Sequence, residues 1–199
     1  MNGYERRREQ KKEAILKTAG ELFFQKGYDA VSTSEIAEKA NVAQSSIYNF
    51  FENKHELYIM AVKRTAIHNM DEYDKILSSD NSFYEKLSDF LKLKMNGISS
   101  GSKDFNSALN MQNPEIQNFL NKLITTRAVP IYHKLIELGR LEGAIDQDIE
   151  SETIIDYING FADAIMQPNI YNKLIENEKY FKDFYRLFWF GISGGKIKE

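Results

Sequence analysis

The sequence predicts an all-α protein made of a small N-terminal three-helix domain and a larger helical domain. Apolar residues recur at helical spacing, as at Ile36, Ala37 and Ala40, and no segment alternates as a strand does. A length of 199 residues and a hydrophobic content of 42% are enough for two such domains. We assign residues 1–53 to the first domain and residues 54–199 to the second.

The second helix of the N-terminal domain has a recognisable start and end. Ser32 and Glu35 have the Ser-x-x-Glu spacing of a capping box, which predicts a helix that begins near Thr33. The helical pattern ends at Asn41, a residue that tolerates the left-handed conformation of a tight turn. The sequence therefore predicts a helix-turn-helix.

The helix that follows this turn, from Gln44 to Phe51, has a polar outer face. Its buried positions are Ile47 and Phe51, and its outward residues are Gln44, Ser45, Ser46, Tyr48 and Asn49. Gln and Asn side chains can pair with base edges in the major groove, and Ser can contact bases or phosphates. This face indicates a DNA recognition helix.

A further helix is predicted to begin at Lys54, because Asn53 and Glu56 repeat the capping pattern. Lys54 then lies close to the recognition helix and is a candidate for a phosphate contact. The predicted DNA-binding residues are Ser32, Thr33, Gln44, Ser45, Ser46, Tyr48, Asn49 and Lys54. A helix-turn-helix of this length also occurs as plain scaffolding, so the whole run of features carries the prediction.

Residues 11–57 resemble the DNA-binding domain of the tetracycline-repressor (TetR) family. The residues that carry the resemblance are Ile15, Ala19, Leu22, Phe23, Gly27, Tyr28, Ile36, Ala37, Ala40, Val42, Tyr48, Phe51, Lys54 and Leu57. Two positions differ: Asn41 replaces the usual turn glycine, and Ala43 replaces the usual Ser or Thr cap of the recognition helix. The resemblance implies a homodimer that binds a palindromic operator, with a helical pocket for a small molecule that moves the two DNA-binding domains apart.

Charge is distributed unevenly along the chain. Residues 1–64 carry a net charge of +2 and residues 65–199 a net charge of −5, which gives −3 overall. A basic cluster near the N-terminus holds Arg6, Arg7, Arg8, Lys11 and Lys12. We expect it to be a solvated arm with an auxiliary phosphate or minor-groove contact.

The second domain has a helical pattern throughout. Helices are predicted at 54–77, 83–98, 105–111, 114–141, 150–166 and 179–192. Pro130 should kink the fourth of these, and Pro168 and Asn169 should connect the last two.

The last two helices carry more apolar and aromatic residues than one buried stripe requires. We interpret this excess as a symmetric four-helix dimer contact through Ile154, Ile158, Phe161, Phe184 and Phe188. Burial inside the protomer is the alternative. In a dimer, two recognition helices would face half-sites about one DNA turn or more apart.

The ligand pocket that the resemblance implies has an aromatic and Met-rich candidate lining. The residues are Phe90, Met95, Phe105, Met111, Phe119, Tyr132, His133, Tyr157 and Phe161. We expect an apolar or amphipathic ligand, although side chains of this kind are more often simple core.

The sequence does not favour an enzyme or a metal protein. The three histidines lie far apart, there is no cysteine, and no glycine-rich phosphate loop occurs. We therefore predict no cofactor. Without a signal peptide or membrane span, the protein is expected to be cytoplasmic. A helical ligand-binding or protein-interaction module that no longer contacts DNA remains the alternative function.

Overall fold

The computed structural model describes residues 2–99 and 113–192. Within these ranges the chain is helical and contains no strand, which confirms the all-α prediction. In chain order the helices are α1 (Gly3–Lys26), α2 (Thr33–Lys39), α3 (Gln44–Tyr48), α4 (Lys54–Leu77), α5 (Phe83–Ser99), α6 (Pro114–Leu123), α7 (Val129–Leu141), α8 (Ser151–Met166), α9 (Pro168–Glu176) and α10 (Glu178–Ile192), with a π-helical segment (Ile124–Ala128) between α6 and α7.

The first of two compact units holds residues 2–72 and 113–127. Its core combines α1 to α4 with α6 and contains Ile15, Leu22, Phe23, Ile36, Ile47, Phe51, Leu57, Ala61 and Ile116. The division between the units falls within α4, at residue 72. The reason is that the inner face of α4, with Leu57 and Ala61 fully buried, belongs to the core of the first unit.

Ion pairs join α4 to its neighbours in the first unit. Lys63 Nζ lies 2.8 Å from Glu115 Oε1 of α6, and Arg64 Nε lies 2.9 Å from Glu13 Oε2 of α1. Each pair is partly exposed, so each contributes about 1 kcal/mol or less to the free energy of unfolding. They fix the orientation of α1 and α6 on α4 more than they stabilise the unit.

The second unit holds residues 73–99 and 128–192, and α5 packs closely against α7 within it. Gly139 permits this approach, because a Cβ at that position would lie 2.6 Å from Phe83 Cζ and 2.7 Å from Ile145 Cδ1. The turn after α7 uses Gly143 at a φ of 69°, a conformation that favours glycine.

The long kinked helix predicted over 114–141 is divided into α6, the π-helical segment and α7. Pro130 lies in the first turn of α7, directly after the π-helical segment. Its missing N–H donor leaves the preceding turn without its regular i to i−4 bond, which accounts for the wider helix just before it. Pro114 is a first-turn proline as predicted, with Asn113 as the N-cap.

The predicted connection at Pro168 and Asn169 is wrong, because these residues begin helix α9. Proline is favourable at the first position of a helix, so it marks a start here rather than a break. The predictions for 54–77, 83–98, 150–166 and 179–192 are confirmed to within one residue at either end. The helix predicted over 105–111 lies outside the described residues.

Candidate nucleic-acid interface

The start of α2 has one half of the predicted capping box. Ser32 Oγ accepts the Glu35 N–H at 3.1 Å, but the Glu35 carboxylate pairs with Lys26 instead of the Ser32 N–H. The hydrogen bond from Lys26 lowers the pKa of Glu35 below its usual value. The reciprocal half of the box is therefore replaced by a bridge from α2 to the end of α1.

The turn between α2 and α3 follows the predicted geometry. Asn41 has a φ of 54°, and the Val42 N–H donates to Ala37 O at 2.9 Å. Asparagine adopts this left-handed conformation at lower cost than most residues. The replacement of glycine by Asn41 thus leaves the tight turn intact.

The recognition helix α3 is shorter than predicted, since it ends at Tyr48 rather than Phe51. Its N-cap residue, Ala43, makes no side-chain cap bond. Ile47 is completely buried and Phe51 nearly so, whereas Gln44, Ser45, Tyr48 and Asn49 are exposed and Ser46 is half-buried. The outward polar face has the predicted composition. Because α3 is short and uncapped, the position of this face depends mainly on the packing of Ile47 and Phe51.

Thr33 lies beneath this face rather than on it. Its side chain is buried, with 9% exposed, and its hydroxyl lies 3.1 Å from Tyr48 Oη and accepts the Gln44 amide at 3.1 Å. Thr33 therefore positions two of the outward residues of α3, and its direct contact with DNA stays a prediction. A hydrogen bond between residues this far apart leaves no local sequence signal.

Lys54 begins α4, as predicted, and its ammonium group lies 4.3 Å from the centre of the Tyr28 ring. Tyr28 in turn packs against Tyr58, whose pKa is raised mainly by burial. Asn53 Oδ1 accepts the Glu56 N–H at 2.9 Å. The Glu56 carboxylate accepts from the N–H of Glu52 rather than that of Asn53, so this capping pair is also shifted from the predicted form.

The N-terminal basic cluster is mostly exposed, as predicted, but it is part of helix α1 rather than a disordered arm. Asn2 and Glu5 form a complete capping box at the start of α1. The Arg8 guanidinium lies 5.1 Å from the centre of the Phe50 ring, just after α3. The spacing of Arg7, Arg8 and Lys11 on one helical face could have revealed this arrangement from the sequence.

The predicted ligand-binding residues that the structure describes are divided between the two units. Phe90 and Tyr132 lie in the second unit, with ring centres 5.7 Å apart, whereas Phe119 belongs to the first unit and lies near Lys63. Tyr157 and Phe161 stack on the aromatic residues of α10. His133 is exposed. Phe105, Met111 and the side chain of Met95 lie outside the described residues.

Lys94 is a polar neighbour of the Phe90 and Tyr132 pair that sequence reasoning missed. Its ammonium donates a hydrogen bond of 2.7 Å to Tyr132 Oη. Tyr73 packs on Phe90 with ring centres 4.4 Å apart, and burial raises its pKa strongly. The cluster therefore combines aromatic surface with one cation.

The predicted dimer residues fall into two groups. Ile154, Ile158 and Phe188 are at most 3% exposed in the isolated protomer, so they belong to its own core. Phe161 and Phe184 are half-buried. The same two helices also present apolar residues outward, with Leu187 68% exposed and Tyr157 41% exposed.

The described residues contain no group of three or more His, Cys, Asp or Glu residues placed to hold a metal ion. None of the helices described is both long and apolar enough to cross a membrane.

Comparison with known proteins identifies similar chains. Residues 15–60 match the model of the bacterial regulatory proteins of the tetR family. The chain is 24% identical over 192 residues to YdeS of Bacillus subtilis (strain 168), described as an uncharacterized HTH-type transcriptional regulator, a match that covers 94% of this chain and 91% of that protein.

Solved structures share the fold. A regulator from Saccharomonospora viridis in complex with choline has a TM-score of 0.68 at 16% identity, over 92% of this chain and 98% of that one. FadR from Bacillus subtilis in complex with stearoyl-CoA has a TM-score of 0.60 at 19% identity, over the same shares of the two chains.

Proposed function

Because the chain belongs to the TetR family of DNA-binding transcriptional regulators, we propose that it is a homodimeric repressor released from a palindromic operator by a small amphipathic ligand. The observation that carries the proposal is the face of α3. Gln44, Ser45 and Asn49 are exposed around an anchor, Ile47, that is completely buried. A regulator of this kind acts on DNA in the cytoplasm.

Within this proposal, Gln44, Ser45 and Asn49 contact bases, and Tyr48 and Lys54 contact phosphates. Base contacts determine sequence preference, whereas phosphate contacts contribute to binding of any duplex. Two contacts support these roles. Gln44 donates a hydrogen bond to Thr33, and the Lys54 ammonium lies over the Tyr28 ring, so both side chains are already positioned in the DNA-free protein.

Gln44→Ala is expected to lose discrimination at one base pair, by about 1 to 3 kcal/mol. Lys54→Ala is expected to weaken binding to all duplexes alike and to reduce the slope of log K against log salt concentration by about 0.9. Fluorescence anisotropy measures both, with an operator enriched from a random duplex library and an unrelated duplex.

The control for Lys54→Ala is Lys39→Ala, which removes an exposed cation from the last turn of α2. Equal loss of specific and non-specific binding in Gln44→Ala would contradict the assigned roles. If the library yields no enriched sequence and binding shows no salt dependence, the alternative of a helical module that no longer contacts DNA replaces the proposal.

The proposed ligand carries an anionic group as well as an apolar body. Lys86, Phe90 and Lys94 recur at intervals of four on α5, which places them along one face, and Lys94 lies against Tyr132. The ligands of the similar structures, choline and stearoyl-CoA, differ in size and charge. The proposed ligand class therefore rests on Lys94 and the aromatic residues around it.

Dodecanoate is expected to raise the melting temperature more than dodecanol does and to lower operator affinity. Release requires the ligand to prefer the state that does not bind DNA, and each tenfold loss of affinity needs about 1.4 kcal/mol of that preference. Lys94→Met should remove the difference between the two compounds. Lys92→Met, which changes an exposed lysine on the same helix, should retain it. Stabilisation by dodecanoate without loss of operator binding would refute release by such a ligand.

A further inference from the structure

A basic cleft lies between the first half of α1 and the end of the recognition helix, within the first unit. It has a volume of about 480 Å³ and is lined by Tyr4, Arg7, Arg8, Lys11, Ser46, Asn49 and Phe50. Three of these seven side chains are cationic and none is acidic. Two of them, Ser46 and Asn49, belong to the outward face assigned to DNA, so the cleft adjoins that face.

Helical spacing separates the charges of α1 onto different faces. Positions 4, 7, 8 and 11 share the face that lines the basic cleft. Glu9 and Glu13 line a different cleft, against α4, and Glu5 is occupied by the N-cap of the helix. The cations next to α3 are thus kept apart from the carboxylates of the same helix.

The cations of the cleft are available for a ligand. Within the described residues, Arg7, Arg8 and Lys11 form no ion pair. The Arg8 guanidinium lies over the Phe50 ring, with 5.1 Å from the guanidinium carbon to the ring centre. Phe50 itself packs against the core of the unit. A guanidinium in a cation–π contact still has N–H donors for a phosphate.

We propose that this cleft binds backbone phosphates of the DNA that flanks the bases contacted by α3. Arg8 and Lys11 neutralise the phosphates, and Phe50 is the positioning residue that fixes Arg8. The inference rests on the proposed DNA-binding function and extends the interface beyond the helix-turn-helix, onto the start of α1.

The test compares two variants of equal charge change on α1. Arg8→Gln with Lys11→Gln removes two cations from the cleft, and Arg6→Gln with Lys12→Gln removes two cations that do not line it. The slope of log K against log salt concentration, measured on the enriched operator, is expected to fall by about 1.8 in the cleft variant. It should stay close to the wild-type slope in the control.

A second variant tests the positioning role of Phe50. Phe50→Leu keeps an apolar side chain but removes the ring face, and it is expected to lower the salt slope by about 0.9. Arg8→Gln introduced on top of Phe50→Leu should lower it no further. Thermal melting verifies that each variant is folded, and Arg8→Gln alone gives the same comparison without any change at residue 50.

The outcomes separate the inference from the function on which it rests. The phosphate cleft is rejected, while DNA binding is retained, if the wild-type protein binds the operator and the cleft variant keeps the wild-type salt slope. The same conclusion follows if the salt slope of the control variant falls by an equal amount. If the wild-type protein binds no duplex in a salt-dependent manner, the proposed function fails and the cleft fails with it.

Discussion

Leu187→Glu is expected to convert the protein to monomers and to reduce its operator affinity by roughly 10²-fold to 10⁴-fold. The reason is that a dimer binds two half-sites at once, and linking two binding events raises affinity by a factor of this size. Leu187 lies on α10 and is 68% exposed in the protomer. Glutamate at an exposed position changes the free energy of unfolding of the isolated protomer little. In a dimer contact, however, its charge would lose water without gaining a partner.

Sedimentation velocity measures the oligomeric state, and anisotropy measures operator affinity. Leu141→Glu is the matched control, because Leu141 is 84% exposed but belongs to α7, outside the proposed contact. Charges at Ile158 or Phe188 are unsuitable, since both side chains are buried and the protomer itself would unfold. A dimer that survives Leu187→Glu and also Tyr157→Glu would place the interface on other helices.

Local sequence patterns were sufficient to predict most helix starts and stops. Asn41 was identified as the left-handed turn residue from backbone preference alone, and its φ of 54° confirms the prediction. The start of α4 at Lys54 follows in the same way from the capping pattern of Asn53. Pro130 and Pro168 give an ambiguous signal, because a proline can either break a helix or begin one.

Features that depend on distant contacts could not be predicted. Apolar spacing on α8 and α10 shows which residues are buried but not whether the covering surface is the same protomer or its partner, and Ile154 and Phe188 proved to be covered by the protomer. Thr33 is a comparable case, since its bonds to Tyr48 and Gln44 join separate helices. The contact of Arg8 with Phe50 is another of this kind, because it joins α1 to the segment that follows α3.

Ile47→Ala is expected to destabilise the first unit by about 2 to 5 kcal/mol. It should also weaken specific binding to the operator more than non-specific binding to an unrelated duplex. Ile47 is completely buried in the core of that unit, in the same apolar cluster as Ile36 and Phe51. Helix α3 has five residues and no side-chain cap at Ala43, so it is too short to be stable alone. Its orientation therefore depends on the packing of Ile47.

Three measurements distinguish loss of the helix from loss of the whole unit. Urea unfolding gives the change in free energy, amide hydrogen exchange over residues 44–49 reports local opening, and anisotropy compares the operator with an unrelated duplex. Ile47→Val removes one methylene and should cost only about 0.5 to 1.5 kcal/mol, with a proportionately smaller loss of specificity. If Ile47→Ala lowers stability and increases exchange over these residues, yet the preference for the operator is unchanged, then α3 is not the element that distinguishes one sequence from another. In that case base discrimination would have to come from outside α3, and the roles given to Gln44, Ser45 and Asn49 would be wrong.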